Sequence, residues 1–254
     1  MLGLTTHRRL PMKRRFKLVA VAAVALGSVA SSVAWYGLSP PPVENLQLAS
    51  GLIAISSADG QQFLAASPNK TDYSQLAPHL LPQTRRAFCG PATSAAVINA
   101  ALGPFTKVTQ ASLFSAATRS VKSELAVSLS GLTLEELAGF FRAHGLQVRT
   151  VHAEQSDVAS FRSDAQAALS EPLTFVVVNY DRKALGQSGA GHISPIGAFS
   201  PPADHLLVMD VATYKYPYTW VPVPKLWSAM NTVDSDSGKT RGYLLVTADA
   251  NAAR

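Results

Sequence analysis

The chain is poor in cysteine and in charge. It has one cysteine, Cys89, among 254 residues, so an intramolecular disulfide and a cysteine-rich zinc site are both excluded. Charged residues make up 15% and hydrophobic residues 47%, a composition that is typical of a folded chain and not of a disordered one. The sequence also has no P-loop, no H-E-x-x-H motif and no dinucleotide-binding fingerprint. We therefore expect no protein-held metal and no tightly bound cofactor.

The net charge of +6 comes from the N-terminal end. Residues 1–34 contain six basic residues and no acidic one, which leaves 16 basic against 16 acidic residues in the rest of the chain. A nucleic-acid-binding domain needs a basic face of its own. The balanced charge of the remainder therefore predicts no nucleic-acid partner.

A mostly apolar run follows this basic start and ends near Tyr36. A cationic beginning, an apolar middle and small residues such as Ser32 and Ala34 are typical of a cleaved secretory signal. The run, roughly 19 residues long, also suits an uncleaved membrane anchor, and both interpretations stay open. In either case the positive-inside rule predicts export, to the periplasm or to its side of the inner membrane. Contact with the membrane is expected only through this segment.

Changes in composition predict the domain limits and the fold class. Residues 1–38 are assigned to the signal or anchor, 39–50 to a Pro-rich linker, 51–248 to the folded domain and 249–254 to a tail. Helices dominate the first half of the domain and strands the second, so we predict an α+β domain. Helices are predicted over 89–102, 109–118, 134–145, 156–169 and 224–230, a turn over 57–60, and strands over 52–55, 146–153, 172–180, 193–199, 205–212 and 241–248.

Cys89 stands at the predicted start of a helix. There the helix dipole and the free backbone amides favour a thiolate, and Gly90 and Pro91 fit the first turn. An inert buried thiol, a free reactive thiol and a nucleophile are all compatible with this position. A nucleophile would also need a base and a group that orients the base.

His192 and Asp210 are the candidates for those two roles. His192 directly follows the flexible loop G-Q-S-G-A-G and begins a predicted strand. Asp210 ends the apolar run H-L-L-V-M, and a buried carboxylate needs a partner such as an imidazole N–H. The order Cys, His, acid is that of papain-like cysteine peptidases. Gln83, six residues before Cys89, is either an oxyanion donor or a surface loop residue.

Four long segments resemble the catalytic domain of phytochelatin synthases (glutathione γ-glutamylcysteinyltransferases). With the weaker segment S-S-A-D-G-Q-Q-F-L-A-A-S, the resemblance covers nearly everything from Gly51 to Val246. It implies a papain-like fold, with a helical N-terminal part that carries the nucleophile at a helix start and packs on a C-terminal antiparallel sheet. The four segments are Q83…A-F-C-G to residue 90, N-Y-D-R-K-A-L-G-Q-S-G-A-G-H-I-S-P-I-G-A-F at 179–199, M-D-V-A-T-Y-K-Y-P at 209–217, and L-W-S-A-M-N-T-V-D-S-D-S-G-K-T-R-G-Y at 226–243.

The resemblance implies a reaction at the Cys–Gly bond of glutathione. Cys89 would attack this bond, release glycine and keep a γ-glutamylcysteinyl thioester. Water would then give γ-glutamylcysteine, and a second glutathione would give a phytochelatin. His192 would serve as base and then acid, Asp210 would orient it, and Gln83 with the Cys89 amide would hold the oxyanion.

The resemblance also implies binding residues and partners. Arg241 and Asp234 match positions that bind the γ-glutamyl group, whose amino acid head carries one charge for each. The loop that ends at Gly191 would offer backbone groups to the substrate. Cadmium or zinc would enter as metal–glutathione thiolates, or act as an activator. A homodimer is expected, and the Cys-rich C-terminal region of the plant enzymes is not present in this sequence.

Two other functions remain open from the sequence. A papain-like or C39-like peptidase acting on another peptide would use the same three residues but would not need Arg241. A membrane-attached module that binds thiols or metals without catalysis would need none of them. Glycine release from glutathione separates the first interpretation from both.

Overall fold

The computed structural model describes residues 27–28, 31–32 and 35–249. The chain divides into two compact units, residues 1–39 and 40–254. In the first unit the described residues up to 38 are helical. Most of the predicted signal or anchor and residues 250–254 of the predicted tail lie outside the described residues. Within the described part of the chain, no helix is both long and apolar enough to cross a bilayer.

The second unit combines eight described helices with seven strands. The helices are α1 (Ala58–Ala66), α2 (Thr71–Leu76), α3 (Cys89–Leu102), α4 (Ala116–Val121), α5 (Glu124–Ser130), α6 (Leu134–Ala143), α7 (Val158–Ala168) and α8 (Val223–Met230). The strands are β1 (Ile53–Ala54), β2 (Gln147–His152), β3 (Thr174–Asp181), β4 (Gly191–Ser200), β5 (His205–Val208), β6 (Thr219–Pro222) and β7 (Gly242–Thr247).

The strands form one antiparallel sheet in the order β1-β6-β5-β4-β3-β7-β2. Alternate residues of β3 enter two different cores, because successive side chains in a strand point to opposite faces. Phe175 and Val177 pack with α3 and α6 on one face, whereas Val176 and Val178 pack with α7 and α8 on the other. The sheet is therefore covered on both sides, which explains the continuous apolar run of β3.

Helix α3 is buried almost all round. Its small and β-branched residues fit between β4 and the segment that leads into α6. Gly90 is required there, since a Cβ at this position would lie 2.8 Å from Leu132 Cδ1. The helix ends at Gly103, whose φ of 84° suits glycine. Both predicted limits of this helix are confirmed.

Several other local predictions need correction. The predicted turn at 57–60 begins α1 instead: the Ser57 hydroxyl caps the helix by accepting from the amide of Gly60 at 3.1 Å. The helix predicted over 109–118 begins later, at Ala116, because Ser115 is the residue that caps α4, and it ends at Val121. The helix predicted over 156–169 begins at Val158, after the cap Asp157. The short elements α2, α5 and β6 were not predicted.

The predicted α+β fold is confirmed, and so is the position of Cys89 at the start of a helix that packs on the sheet. All of the helices α1 to α6 lie between β1 and β2 in the chain, and Cys89 is the first residue of α3. This is the arrangement that the papain-like fold requires, with a helix start packed on an antiparallel sheet. A capping box formed by Thr133 and Glu136 begins α6, close to the start of the helix predicted over 134–145.

Candidate active site

Cys89 lies where α3 meets β4. The Thr93 hydroxyl, one turn into the helix, donates to the carbonyl of Ile193 at 3.2 Å. The amide of the same Ile193 approaches the Cys89 sulfur. Since Ile193 directly follows His192, the thiol and the imidazole are held on neighbouring elements at the same point of the sheet. Among the described hydrogen bonds there is none between Cys89 and His192 themselves.

His192 is oriented by Asp210. Its Nε2 lies 2.9 Å from Oδ1 of the carboxylate. A carboxylate at neutral pH only accepts, so Nε2 donates and Nδ1 of the neutral ring keeps its lone pair. The edge-to-face contact with the Tyr180 ring, 5.7 Å between centroids, fixes the ring plane. This is the tautomer that a base acting through Nδ1 needs.

The Asp210 carboxylate is fully paired. Its Oδ1 also accepts from Nη2 of Arg182 and from the amide of Ala212, both at 2.8 Å. The same Nη2 lies 2.7 Å from Oδ2. Burial alone would raise the pKa of Asp210, but the charges of His192 and Arg182 outweigh it and hold that pKa well below its usual range. The carboxylate therefore stays ionised and keeps the imidazole in place.

Arg182 is the site residue that the sequence analysis did not single out. It follows β3 directly and is buried. Its Nη1 donates to Gln187 Oε1 at 2.9 Å, and its guanidinium lies 5.3 Å from the centroid of the Tyr216 ring. A signal for it was present: one imidazole N–H cannot satisfy both oxygens of a buried Asp210, and Arg182 stands at the end of a buried strand.

Burial dominates the proton equilibria of the thiol and the imidazole. It raises the pKa of Cys89 above its ordinary 9.0, although the amide of Ile193 and the charge of Arg182 act in the opposite direction. Burial also lowers the pKa of His192 below its ordinary 6.5, and the charge of Arg182 adds to this. The resting pair is therefore a neutral thiol beside a neutral imidazole. Burial thus opposes the thiolate that the helix start favours.

Gln83 is buried in the loop that leads to Cys89. Its backbone amide donates to Val211, the residue after Asp210, at 2.9 Å. Its side-chain Nε2 donates to the carbonyls of Arg85 and Arg86, at 2.9 and 2.7 Å. The structure thus brings Gln83 to the site, with both amide hydrogens bound to its own loop.

Arg241 and Asp234 lie on the segment between α8 and β7. Their closest atoms, Nη2 and Oδ1, are 3.9 Å apart, which is longer than a hydrogen bond. Arg241 Nη1 donates instead to the Val233 carbonyl at 2.6 Å and to the Thr232 hydroxyl at 3.3 Å. A Cβ added to Gly191 would lie 2.7 Å from Nη2. The guanidinium therefore packs against the backbone that immediately precedes His192.

A protein-held metal site is not formed by the described residues. No three His, Cys, Asp or Glu side chains in that part of the chain converge on one point. The candidate site is thus built from one thiol, one imidazole, two carboxylates, two guanidinium groups and one amide. This set suits acyl transfer by a cysteine nucleophile.

A family model decides the relationship. The model described as phytochelatin synthase matches residues 43–243, which include every candidate site residue. The chain belongs to the phytochelatin synthase family. The resemblance predicted from the four sequence segments is confirmed.

Curated relatives of this phytochelatin synthase family member carry one name. Glutathione gamma-glutamylcysteinyltransferase 1 of Lotus japonicus is 31% identical over 220 residues, which are 82% of this chain and 41% of that protein. Glutathione gamma-glutamylcysteinyltransferase of Schizosaccharomyces pombe is 31% identical over 183 residues, 69% of this chain and 43% of that protein. The chain therefore spans less than half the length of these relatives.

A solved structure also resembles this family member. The peptidase domain of Streptococcus ComA, a bi-functional ABC transporter involved in a quorum-sensing pathway, aligns at a TM-score of 0.44 and 15% identity. The alignment covers 67% of this chain and 98% of that domain. A likeness at this level supports no inference about activity, so the function is argued from the site and the family.

Proposed function

We propose that this chain cleaves the Cys–Gly peptide bond of glutathione through a thioester on Cys89. One observation carries the proposal: in a member of the phytochelatin synthase family, Cys89 begins a buried helix beside His192, and Asp210 orients that imidazole at 2.9 Å. The curated relatives are named for glutathione γ-glutamylcysteinyl transfer. This chain spans less than half their length, and the same activity is proposed for it on the strength of its site.

The acylation step uses the neutral pair. As the sulfur of Cys89 bonds to the carbonyl carbon, Nδ1 of His192 takes the thiol proton. The C–N bond then breaks, His192 returns the proton to the leaving nitrogen, and glycine departs. The product is a γ-glutamylcysteinyl thioester on Cys89.

The deacylation step decides between two products. Water that gives its proton to His192 attacks the thioester, the C–S bond breaks, and γ-glutamylcysteine leaves. Attack by the amino group of a second glutathione instead forms a new peptide bond and releases a phytochelatin. In both cases His192 returns the proton to the Cys89 sulfur.

Oxyanion stabilisation is assigned to the Cys89 amide and Gln83 Nε2. In the structure, Nε2 donates to the carbonyls of Arg85 and Arg86. To serve the oxyanion, one amide hydrogen must exchange a loop carbonyl for the developing charge. A charge-assisted bond is roughly twice as strong as a neutral one, which favours that exchange in the transition state.

Substrate recognition is assigned to Arg241, Asp234 and the backbone at Gly191. The α-carboxylate of the γ-glutamyl head suits the guanidinium, and its ammonium suits the carboxylate. The 3.9 Å separation of the two side chains supports this assignment, since neither charge is fully taken up by the other.

The proposal also includes the location of the protein, its metal-bound substrates and its oligomeric state. The cationic, apolar N-terminal run supports export, to the periplasm or to its side of the inner membrane. Cadmium or zinc would arrive as metal–glutathione thiolates or act as an activator, and the chain would assemble as a homodimer. External glutathione and its conjugates would then be the substrates.

Full-length protein incubated with glutathione tests the proposal. Glycine, γ-glutamylcysteine and phytochelatins would be followed by mass spectrometry under reducing conditions, with and without cadmium. We expect glycine release from the parent chain and from the control His144→Ala, and none from Cys89→Ala or His192→Ala. His144 is a suitable control because, among the described residues, the hydrogen bond of its ring is made to its own helix, through the Phe140 carbonyl.

The product ratio then separates hydrolase from synthase. If the parent chain releases no glycine, the glutathione proposal fails. Cleavage of other peptides would then favour the peptidase interpretation. Metal or thiol binding without any cleavage would favour the non-catalytic module.

A further inference from the structure

His152 is a buried histidine that the proposed mechanism does not use. It ends β2 and is 3% exposed. Its Nδ1 lies 2.6 Å from the carbonyl oxygen of Thr240. A carbonyl oxygen only accepts, so Nδ1 carries the hydrogen of this bond. On the other side of the ring, Nε2 faces Oε1 of Glu135, in the first turn of α6, at 3.6 Å.

The two residues after His152 bind the same segment. The amide of Glu154 donates to the Thr240 hydroxyl at 3.0 Å. The amide of Ala153 donates to the Arg241 carbonyl at 2.9 Å. The consecutive residues 152–154 therefore bind Thr240 and Arg241 to the end of β2. His152 donates through its side chain, whereas the other two residues donate through their backbone amides.

Arg241, one of the two residues held at the end of β2, carries the guanidinium to which substrate recognition is assigned. The Arg241 side chain is confined between Gly191, where a Cβ would lie 2.7 Å from Nη2, and the Val233 carbonyl, 2.6 Å from Nη1. Its backbone enters β7 at Gly242, where a Cβ would overlap the Val151 carbonyl. The distance between the end of β2 and Thr240 thus sets where the guanidinium sits relative to His192.

We propose that His152 is a positioning residue for substrate recognition. Through its bond to Thr240 it sets the place of the Arg241 guanidinium beside Gly191, and this bond is the one that the buried imidazole makes among the described residues. The inference rests on the proposed function, in which Arg241 binds the γ-glutamyl head. It concerns binding and not the chemical step, because the described bonds of His152 include none to His192, Asp210 or Cys89.

Steady-state kinetics of the full-length chain with glutathione test this inference. His152→Ala should raise KM roughly tenfold, the equivalent of one buried hydrogen bond, and leave kcat within about twofold. His152→Asn should stay within about threefold of the parent KM, since its amide Nδ2 takes the place of Nδ1. His144→Ala, which removes an imidazole outside this chain of contacts, should leave both constants unchanged.

A double-mutant cycle separates positioning from a general structural role. If His152 acts through Arg241, the variant His152→Ala/Arg241→Ala should have the same KM as Arg241→Ala alone. Multiplicative effects of the two substitutions would overturn the inference. An unchanged KM in His152→Ala, while the parent chain releases glycine, would also overturn it and would leave the proposed function standing.

Two further measurements keep the test decisive. Where His152→Ala melts below the assay temperature, His152→Gln replaces it, because its longer side chain fills the space of the ring but places its amide nitrogen at Nε2 and not at the Nδ1 position that donates to Thr240. It should raise KM severalfold with an unchanged melting temperature, and no rise would count against the inference. If the parent chain neither cleaves nor binds glutathione, in calorimetry with Cys89→Ala, the proposed function fails and this inference fails with it.

Discussion

The two halves of the site differ in how completely their polar atoms are paired. In the catalytic half, the two Asp210 oxygens accept from His192, Arg182 and a backbone amide within 2.9 Å. In the recognition half, the closest approach of Arg241 and Asp234 is 3.9 Å. There, Nε of Arg241 is buried and has no hydrogen-bond partner among the described residues.

This difference in pairing shows which side chains are held in place by the protein itself, without a substrate. The catalytic half has its geometry set by internal bonds, which is the preorganisation that electrostatic catalysis needs. A buried polar atom without a partner destabilises the fold by roughly 1–3 kcal/mol. A substrate head that pairs such atoms recovers this energy on binding. The recognition half therefore lowers the stability of the free protein and raises its affinity for the substrate, whereas the catalytic half stabilises the fold.

Arg182→Met should have the largest effect on stability. It leaves Asp210 as a buried charge with one partner fewer, and breaking a buried pair in this way lowers the free energy of unfolding by about 3–5 kcal/mol. The kcat for glycine release should fall as well, since the carboxylate loses the bond that holds it toward His192. Urea unfolding and single-turnover kinetics on the full-length chain measure the two effects.

The chain contains a matched control for this variant. Arg162 and Asp204 form the same kind of pair, with bonds of 2.7 and 2.8 Å, but their side chains are 33% and 38% exposed. Arg162→Met should therefore lower the unfolding free energy by no more than about 1 kcal/mol and leave kcat unchanged. Equal losses in the two variants would mean that burial does not distinguish the catalytic pair.

Arg241→Lys should show the reverse balance. A lysine keeps the charge but not the planar set of donors that reaches Val233 and the substrate together. KM for glutathione should rise by roughly 10- to 100-fold, the value of one charge-assisted bond. The unfolding free energy should change by no more than about 1 kcal/mol, because one bond to the Val233 carbonyl can be kept.

Arg149→Lys is the control for this substitution. Arg149 pairs with Asp164 of α7 at 2.6 Å, and its side chain is 55% exposed. Its replacement should leave KM and kcat unchanged. A stability loss in Arg241→Lys as large as that in Arg182→Met would remove the distinction between the two halves.

Elements with a single dominant signal could be predicted from the sequence. Helix α3 has a run of apolar residues bounded by Cys89 and Gly103, and both limits are correct because burial and the glycine stop act together. The turn predicted at Ser57 failed for a physical reason. Gly60 lies inside α1, where a Cβ would overlap the Ala54 carbonyl, so a glycine that suggests a turn here serves a close approach.

The candidate site was predictable where one residue type meets one chemical need. A lone thiol at a helix start and an imidazole after a flexible loop suggested Cys89 and His192. Arg182 was missed because its role depends on Asp210, 28 positions away, and on a desolvation that only the folded sheet creates. The same desolvation raises the pKa of Cys89 and so opposes the thiolate that the helix start favours.

The pH dependence is the smallest and most specific prediction. Burial lowers the pKa of His192 and raises that of Cys89, so the free protein should show no thiolate absorbance in the ultraviolet until the pH exceeds 9.0. The reactive form needs neutral His192. As pH falls, kcat/KM should therefore decline through a pKa that lies below the ordinary 6.5 of histidine. Thiolate absorbance at pH 7, referenced to Cys89→Ala, would contradict this.

The two halves should also differ in how substitutions move that pH profile. Next to burial, the charge of Arg182 is the main cause that lowers the pKa of His192. Arg182→Met should therefore shift the acid limb of kcat/KM to higher pH, by an amount that the profile itself measures. Arg241→Lys keeps its charge and makes no described bond to His192, so its acid limb should coincide with that of the parent chain. If the acid limb shifts in both variants, or in neither, one electrostatic field governs the whole site. The division into a fixed catalytic half and an incompletely paired recognition half would then fail.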